Sequence, residues 1–220
     1  GWSKNFIKRY IFKKILSLSN IVMVNSLQFK NDLMRDLNVK SKCIYNPLNK
    51  YEIVKRSKKK SKKIFSKKNK LKIINIGRFT DQKDQLTFLK SLNNLKDEIN
   101  FEACIIGRGV LKSQLQKYIL DNKLSRFVKI INFVENPYPF IKQSDLFVLT
   151  SKYEGLPNVL LEALTLKKFI ISSSCHTGPR EILLNGKGGL LFKVGDHKEL
   201  ADRIKYYFFN KKKCKKLLDR

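Results

Sequence analysis

The chain has 220 residues, 42% of them hydrophobic, enough for one sizeable domain with a core and an appendage. Its 47 Lys and Arg against 18 Asp and Glu leave a formal net charge of +29, which calls for a polyanionic neighbour: nucleic acid, an anionic membrane surface or phosphorylated substrates. No apolar run approaches a membrane span or a cleavable signal core, and two histidines are too few for a zinc site. The four cysteines lack a C-x-x-C pair, as expected of reduced thiols in a cytosolic setting.

The chain opens on Gly1 rather than methionine and already inside a helical pattern, as expected of a fragment. Phe6, Ile7, Tyr10, Ile11, Ile15 and Leu18 recur at helical spacing, with Lys4, Lys8, Arg9, Lys13 and Lys14 between them, so residues 4–18 are predicted to form an amphipathic basic helix. A short strand at 21–24, a helix from an Ser26 N-cap to Leu37, and a strand at 41–45 ended by Asn46-Pro47 follow. Lysine dominates residues 55–70. Such a like-charge block repels itself and reads as linker rather than packed element, with 58–63 favoured for contact with anionic phospholipid and 67–70 as solvated chain.

From Leu71 the pattern becomes regular. Apolar runs at 71–76, 101–106, 127–133, 146–149, 169–172 and 189–192 alternate with helical stretches at 84–93, 110–121, 136–142, 158–166, 179–184 and 197–209. Continuous apolar strands alternating with helices define an α/β class, a Rossmann-like parallel sheet with helices on both faces, whose ligands bind at the carboxyl ends of the strands. Cys43 and Cys104 fall inside strand-like runs and are expected to be buried. Phe88, Phe101, Phe127, Phe133 and Phe147 occupy expected core positions, which disfavours a nucleic-acid module built on exposed aromatics among lysines.

The most informative segment is residues 153–163, Tyr-Glu-Gly-Leu-Pro-Asn-Val-Leu-Leu-Glu-Ala. Gly155 permits a tight turn, and Pro157 suits the first turn of a helix, where its missing N–H is no loss. The unsatisfied N–H groups of that turn make a ready anion site at a strand's carboxyl end. Two acids, Glu154 before the helix and Glu162 inside it, bracket that site, a pattern that fits a nucleotide-sugar. Gly77 and Arg78 close the first strand of the regular region, and Lys83 precedes the next helix. A planar guanidinium and a mobile ammonium together suit a diphosphate whose charge grows as its bond to sugar breaks. Gly107-Arg108-Gly109 lacks the third glycine of a dinucleotide fingerprint, so close approach of a donor is favoured over NAD. His176 reads as a variable loop residue, Arg180 as a cation for an anionic group or a nearby acid, and Glu181 as capping or pairing within its own helix.

The order and spacing of these segments resemble the GT4 group of retaining GT-B glycosyltransferases, from about Ile21 to Arg203. The resemblance rests on Glu154 and Glu162 as E-x7-E, residues 75–84 (Asn-Ile-Gly-Arg-Phe-Thr-Asp-Gln-Lys-Asp), Ile106-Gly107-Arg108-Gly109, residues 177–183 (Thr-Gly-Pro-Arg-Glu-Ile-Leu) and residues 185–191 (Asn-Gly-Lys-Gly-Gly-Leu-Leu). It implies that residues 1–50 are a remnant of the acceptor-side domain, 51–70 the interdomain linker, and 71–220 the donor-binding domain. It also implies that Arg78 and Lys83 bind the donor's phosphates in place of a divalent metal, so no cofactor and no metal site are expected. Glu154 would meet the transferred sugar, and Glu162 the ribose hydroxyls. The backbone of Gly155, Leu156, Pro157, Asn158 and Val159 would approach the distal phosphate, with Gly77, Gly107 and Val134 around the nucleotide. The implied partners are a nucleoside-diphosphate sugar, a glycan or lipid-linked acceptor and an anionic membrane, at the cytoplasmic face and without specific nucleic acid. A catalytically inactive scaffold of the same fold, or a basic polyanion-binding module, is the alternative.

Overall fold

The computed structural model describes residues 6–65 and 69–217. Its main body is a six-stranded sheet formed by β3 (Leu71–Ile76), β4 (Phe101–Gly107), β5 (Val128–Asn132), β6 (Leu146–Leu149), β7 (Phe169–Ser173) and β8 (Leu190–Phe192), in the order β5-β4-β3-β6-β7-β8. All five pairings are parallel. Side chains alternate faces along each strand, which splits the core in two. Leu71, Ile73, Phe101, Ala103, Ile105, Leu146, Val148, Phe169 and Ile171 face one layer. Ile74, Cys104, Ile106, Phe147, Leu149 and Ile170 face the other.

The first layer is covered by α4 (Gln85–Leu95), α5 (Lys112–Asp121) and α9 (His197–Phe209), through Phe88, Leu92, Leu115, Leu200, Ile204 and Tyr207. Tyr207 stacks on Phe169 with ring centroids 4.8 Å apart, and its hydroxyl donates to the Asp145 carbonyl at 3.2 Å. Each such large side chain contributes about 1.5–3 kcal/mol by leaving water. The second layer is covered by α6 (Tyr138–Gln143), α7 (Asn158–Thr165) and α8 (Pro179–Ile182).

The sheet order creates a crevice. From β3 the chain moves outward through β4 and β5, then returns to place β6 on β3's other side. The helices after β3 and β6 consequently lie on opposite faces, and the loops at their starts diverge over the sheet's carboxyl edge. This is the topological switch point at which open α/β sheets bind ligands.

Residues 55–65 are not a free linker. Residues Lys50–Ser57 form α3, which packs on α6 and α7 and buries Ile53. Ile64 and Phe65 enter the second core layer, and Gln143 pins the chain beside them by accepting from the Ile64 N–H at 3.0 Å and donating to Ser61 Oγ and the Lys62 carbonyl at 3.2 Å each. Lysine count misled here because the apolar anchors are few, while the lysines at 58–60 and 62–63 stay exposed. Of the stretch expected to be solvated chain, residues 67 and 68 lie outside the described residues.

The N-terminal pieces comprise α1 (Phe6–Ser17), β1 (Met23–Val24), α2 (Leu27–Leu37) and β2 (Lys42–Cys43), with β1 and β2 paired in parallel. Ser26 caps α2 as its sequence position predicts, its hydroxyl accepting from the Phe29 N–H at 3.1 Å. Val24, Leu33, Leu37 and Val39 form a small separate core. Cys104 is buried as expected, but Cys43 is only half-buried, because a two-residue strand has little to cover it. No residue of α1 is buried, and Phe6, Ile7, Tyr10, Ile11, Phe12 and Ile15 are all exposed.

Candidate functional site

The two loops at the switch point are laced into one wall. Thr150 Oγ1 donates to the Lys83 carbonyl at 2.9 Å, the Lys152 N–H to the Gln82 carbonyl at 2.8 Å, and Gln82 Nε2 to the Tyr153 carbonyl at 2.9 Å. Asp84 adopts a left-handed φ of 46° to cap α4, accepting from the Thr87 N–H and hydroxyl. Through these bonds the loop after β3 and the loop after β6 present their charges together.

Two clefts open on either side of this wall. The first, about 460 Å³, is lined by Gly77, Arg78, Gly107, Val134, Tyr138 and Glu162, with Arg108 and Phe133 at its rim. The second, about 340 Å³, lies between the N-terminal pieces and the sheet and is lined by Asn25, Asp32, Lys152, Glu154, Gly155 and His176. Lys83 stands between them. Its stem passes beside Gly77, where an added Cβ would lie 3.5 Å away, and its ammonium pairs with Glu154. Both partners are largely buried, at 17% and 8% side-chain exposure. Glu154 also accepts from the Ser151 hydroxyl at 2.6 Å, and Thr177 Oγ1 donates to its carbonyl. Arg78, by contrast, is exposed and makes no side-chain bond to the described residues.

The glycines serve reasons the sequence does not show. Neither Gly77 nor Gly155 has a left-handed φ, so neither is required by its own turn. Their neighbours are. A Cβ on Gly107 would lie 1.9 Å from the Gly77 carbonyl oxygen, and one on Gly178 (φ 83°) would lie 2.2 Å from that of Gly155. Each forces a close backbone approach that sets the height of the loop beside it.

Leu156, Pro157, Asn158 and Val159 line neither cleft. Leu156 and Pro157 are buried, Val159 packs against the second core layer, and the Asn158 side chain accepts from Asn46 Nδ2 at 2.7 Å. Pro157 is the N-cap of α7 rather than a residue of its first turn. Phe133 is 53% exposed instead of core, with the Arg108 guanidinium 4.7 Å from its ring centroid. It sits one residue past β5, where the strand's apolar pattern continues but the sheet does not.

Glu181 and His176 tie the N-terminal pieces to the sheet's carboxyl edge. Glu181 accepts from the first N–H of α2, at Leu27 (3.1 Å), and from the Tyr45 hydroxyl, instead of pairing within its own helix. The hydrogen bond to that carboxylate, aided by burial, pushes Tyr45 up to about 12. His176 Nε2 lies 2.7 Å from Asp32 Oδ2, so it is a fixed partner of α2 rather than a free loop residue. Cys175 next to it is buried, and burial pushes its thiol up to about 11, which keeps it protonated and unreactive.

Glu162 on α7 is half-buried, with the Tyr138 hydroxyl 3.4 Å from Oε1. Burial raises its carboxyl above the ordinary value, against the opposing pull of Tyr138 and of the Arg56 guanidinium. Tyr138, which lines the cleft, and Arg56, which lies over its ring, are neighbours of Glu162 that sequence reasoning missed. The one usable signal for Arg56 is that it alone in the lysine-rich run carries a planar, five-donor fork.

Fold and clefts together define a Rossmann-like ligand-binding domain with a cationic mouth at its switch point. The chain belongs to the glycosyl transferases group 1 family, whose model matches residues 56–219. It is 33% identical over 221 aligned residues to an uncharacterized glycosyltransferase of Methanocaldococcus jannaschii, covering 96% of this chain and 50% of that one. It is 24% identical over 204 residues to the N-acetylgalactosamine-N,N'-diacetylbacillosaminyl-diphospho-undecaprenol 4-alpha-N-acetylgalactosaminyltransferase of Campylobacter jejuni, covering 91% and 54%. Its fold matches HepE of Anabaena, solved in complex with UDP-glucose, at a TM-score of 0.79 and 18% identity over 96% of this chain and 60% of that one. The architecture is therefore that of the GT-B glycosyltransferases. The chain spans about half the length of the curated relatives it matches.

Proposed function

We propose that this chain is the donor-binding half of a retaining glycosyltransferase that moves a hexose or N-acetylhexosamine from a nucleoside diphosphate to a lipid-linked or polysaccharide acceptor. The observation that carries the reading is the convergence of Arg78, Lys83 and Glu154 at the β3/β6 switch point, with Glu162 at the far end of the adjoining cleft. Its length and polarity suit a nucleoside diphosphate: ribose hydroxyls at Glu162, phosphates at Arg78 and Lys83, sugar toward Glu154. The similarity to a transferase named for a diphospho-undecaprenol acceptor supports the acceptor class.

In this reading the bond between the sugar's anomeric carbon and the diphosphate oxygen breaks, and its electron pair leaves with the diphosphate. Arg78 and Lys83 meet that charge in place of a metal ion. The acceptor hydroxyl oxygen bonds to the anomeric carbon from the same face, and its proton passes to the departing diphosphate oxygen. Lys83 must loosen its hold on Glu154 to reach phosphate, which couples donor entry to release of a carboxylate toward the sugar. Because the chain spans half the length of its relatives, transfer itself is proposed to require the remaining half.

Calorimetric titration of the 220-residue chain with UDP, GDP, ADP and dTDP tests the reading. One nucleotide is expected to bind saturably, in the range of roughly micromolar to millimolar. Glu162→Gln is expected to abolish that binding without loss of stability. Because burial raises the folded carboxyl, its contribution to stability is fully present below the unfolded value of 4.5 and is lost as pH rises through the folded one. The variant should therefore melt on the order of a few degrees above wild type near neutral pH, the gap closing in acid. Equal, salt-sensitive binding of every polyanion would instead make the chain a basic binding module.

The proposal extends to a peripheral position at the cytoplasmic membrane face. Among the described residues no helix is long and apolar enough to cross a membrane. The exposed apolar side chains of α1 alternate with Lys8, Arg9, Lys13 and Lys14, each basic group being worth about 1 kcal/mol at an anionic surface. Sedimentation with phosphatidylglycerol vesicles, but not with phosphatidylcholine vesicles, is expected, and should weaken in salt and in Lys13→Glu/Lys14→Glu. Equal recovery with both lipids would remove the membrane from the proposal.

A further inference from the structure

The residues that hold Glu162 are supplied from outside the sheet. Arg56, in the last turn of α3, lies with its guanidinium carbon 5.2 Å from the centroid of the Tyr138 ring. Its Nη2 donates to the Glu135 carbonyl at 3.1 Å, and its own carbonyl accepts from Asn136 Nδ2 at 3.1 Å. One side chain and one carbonyl thus grip Glu135 and Asn136 of the β5–α6 loop and Tyr138 at the start of α6. Val134, Glu135 and Pro137 of that loop, with Tyr138, form one wall of the first cleft, and the Tyr138 hydroxyl reaches Glu162.

We propose that Arg56 is a positioning residue for the donor cleft: it fixes the β5–α6 loop and keeps a positive charge beside Glu162, so that nucleotide affinity depends on α3 remaining docked. The inference rests on the assignment of this cleft to the nucleoside diphosphate and adds to it a control point in the segment preceding the donor domain. The physical need is clear. A half-buried carboxylate that must accept hydroxyl hydrogen bonds is useful only when ionised, and burial opposes ionisation. The groups facing it are Tyr138 on α6 and Arg56 on α3; Glu52, one turn earlier on α3, acts on Tyr138. Arg78, Arg108 and Glu135 line the same cleft. The Arg56 fork does what a lysine cannot: it sits over the Tyr138 ring while donating to the Glu135 carbonyl.

The test is calorimetric titration of the intact chain with its tightest nucleotide among UDP, GDP, ADP and dTDP, across acid to neutral pH. Wild type, Arg56→Met, Arg56→Lys and Glu162→Gln are compared. Since an ionised Glu162 is required, binding is present above its folded value and fades as pH falls through it. Arg56→Met is expected to weaken binding roughly tenfold near neutrality, from loss of one cation–π contact and one charged hydrogen bond. It should also move the midpoint of the pH profile upward. Arg56→Lys should restore the midpoint, because charge returns, while recovering only part of the affinity. A merely structural role would lower affinity without moving the midpoint, and that outcome overturns the proposal, as does unchanged binding in Arg56→Met. If Arg56→Met fails to fold, the comparison of Arg56→Lys with wild type decides: equal affinity overturns the positioning role. Nucleotide binding that survives Glu162→Gln overturns the assignment of the cleft instead, and the proposal with it.

Discussion

Replacing Arg78 with alanine is expected to weaken diphosphate binding by roughly 10–100-fold, the loss of charged hydrogen bonds worth about 1.5–3 kcal/mol, while leaving the melting temperature unchanged. The guanidinium is exposed and has no partner among the described residues, so the ligand-free fold loses little. In a chain extended to the length of its relatives, the transfer step should lose ~2–4 kcal/mol of transition-state stabilisation, the scale of one preorganised donor. Arg78→Lys should recover only part, because a point charge cannot grip two phosphate oxygens. Turnover and nucleotide affinity both at wild-type level in Arg78→Ala would remove this residue from the site.

Lys83 should behave in the opposite way. Its ammonium neutralises Glu154, whose side chain is 8% exposed, so Lys83→Met leaves a carboxylate in a poorly hydrated place with only the Ser151 hydroxyl as a close side-chain donor. Breaking a buried pair from one side costs about 3–5 kcal/mol, and the remaining hydroxyl holds the cost near the lower end. For a chain of this size that is a fall of roughly 6–12 °C in melting temperature. The double variant Lys83→Met/Glu154→Gln should recover most of the loss, because no charge is left stranded. Thermal unfolding of the four members of this cycle gives the coupling directly. If Lys83→Met melts with wild type, the pair is a solvent-screened contact and the proposed hand-over of Lys83 from Glu154 to phosphate loses its basis.

Together these variants separate two kinds of cation at one site. Arg78 is unpaired among the described residues, whereas Lys83 is held by an acid. The difference is not one of residue type. It arises because the loop after β6 folds back against the loop after β3 and brings Glu154 to Lys83, 71 residues apart in sequence.

The parallel sheet was legible in residues 71–209 because its central strands are buried on both faces and read as largely apolar runs. Glycines, caps and prolines mark the turns between them. The boundaries of α9 and β6 follow from periodicity, and β3 likewise. Arg78, Gly77, Gly107, Val134 and Glu162 stand out as residues at strand ends or on a buried helix, and the structure gathers them in one cleft. The helix formed by 50–57 and the burial of Ile64 and Phe65 were not legible, since a few apolar anchors are masked by surrounding lysines that only line the solvent side. Phe133 misled for the converse reason: an aromatic that extends a strand pattern past the strand's last hydrogen bond.

Local chemistry along the chain thus sufficed for the class of fold and for picking out the candidate residues at the sheet's carboxyl edge, because periodicity and turn chemistry act over a few residues. Pairing is a different matter. That Lys83 is engaged and Arg78 free, that His176 and Glu181 hold α2, and that Arg56 reaches across to Tyr138 beside Glu162 all depend on contacts between residues 24 to 154 positions apart. Such contacts exist only after the sheet has ordered its strands, and burial, which raises the Glu162 carboxyl, is likewise a property of the assembled layers rather than of any segment.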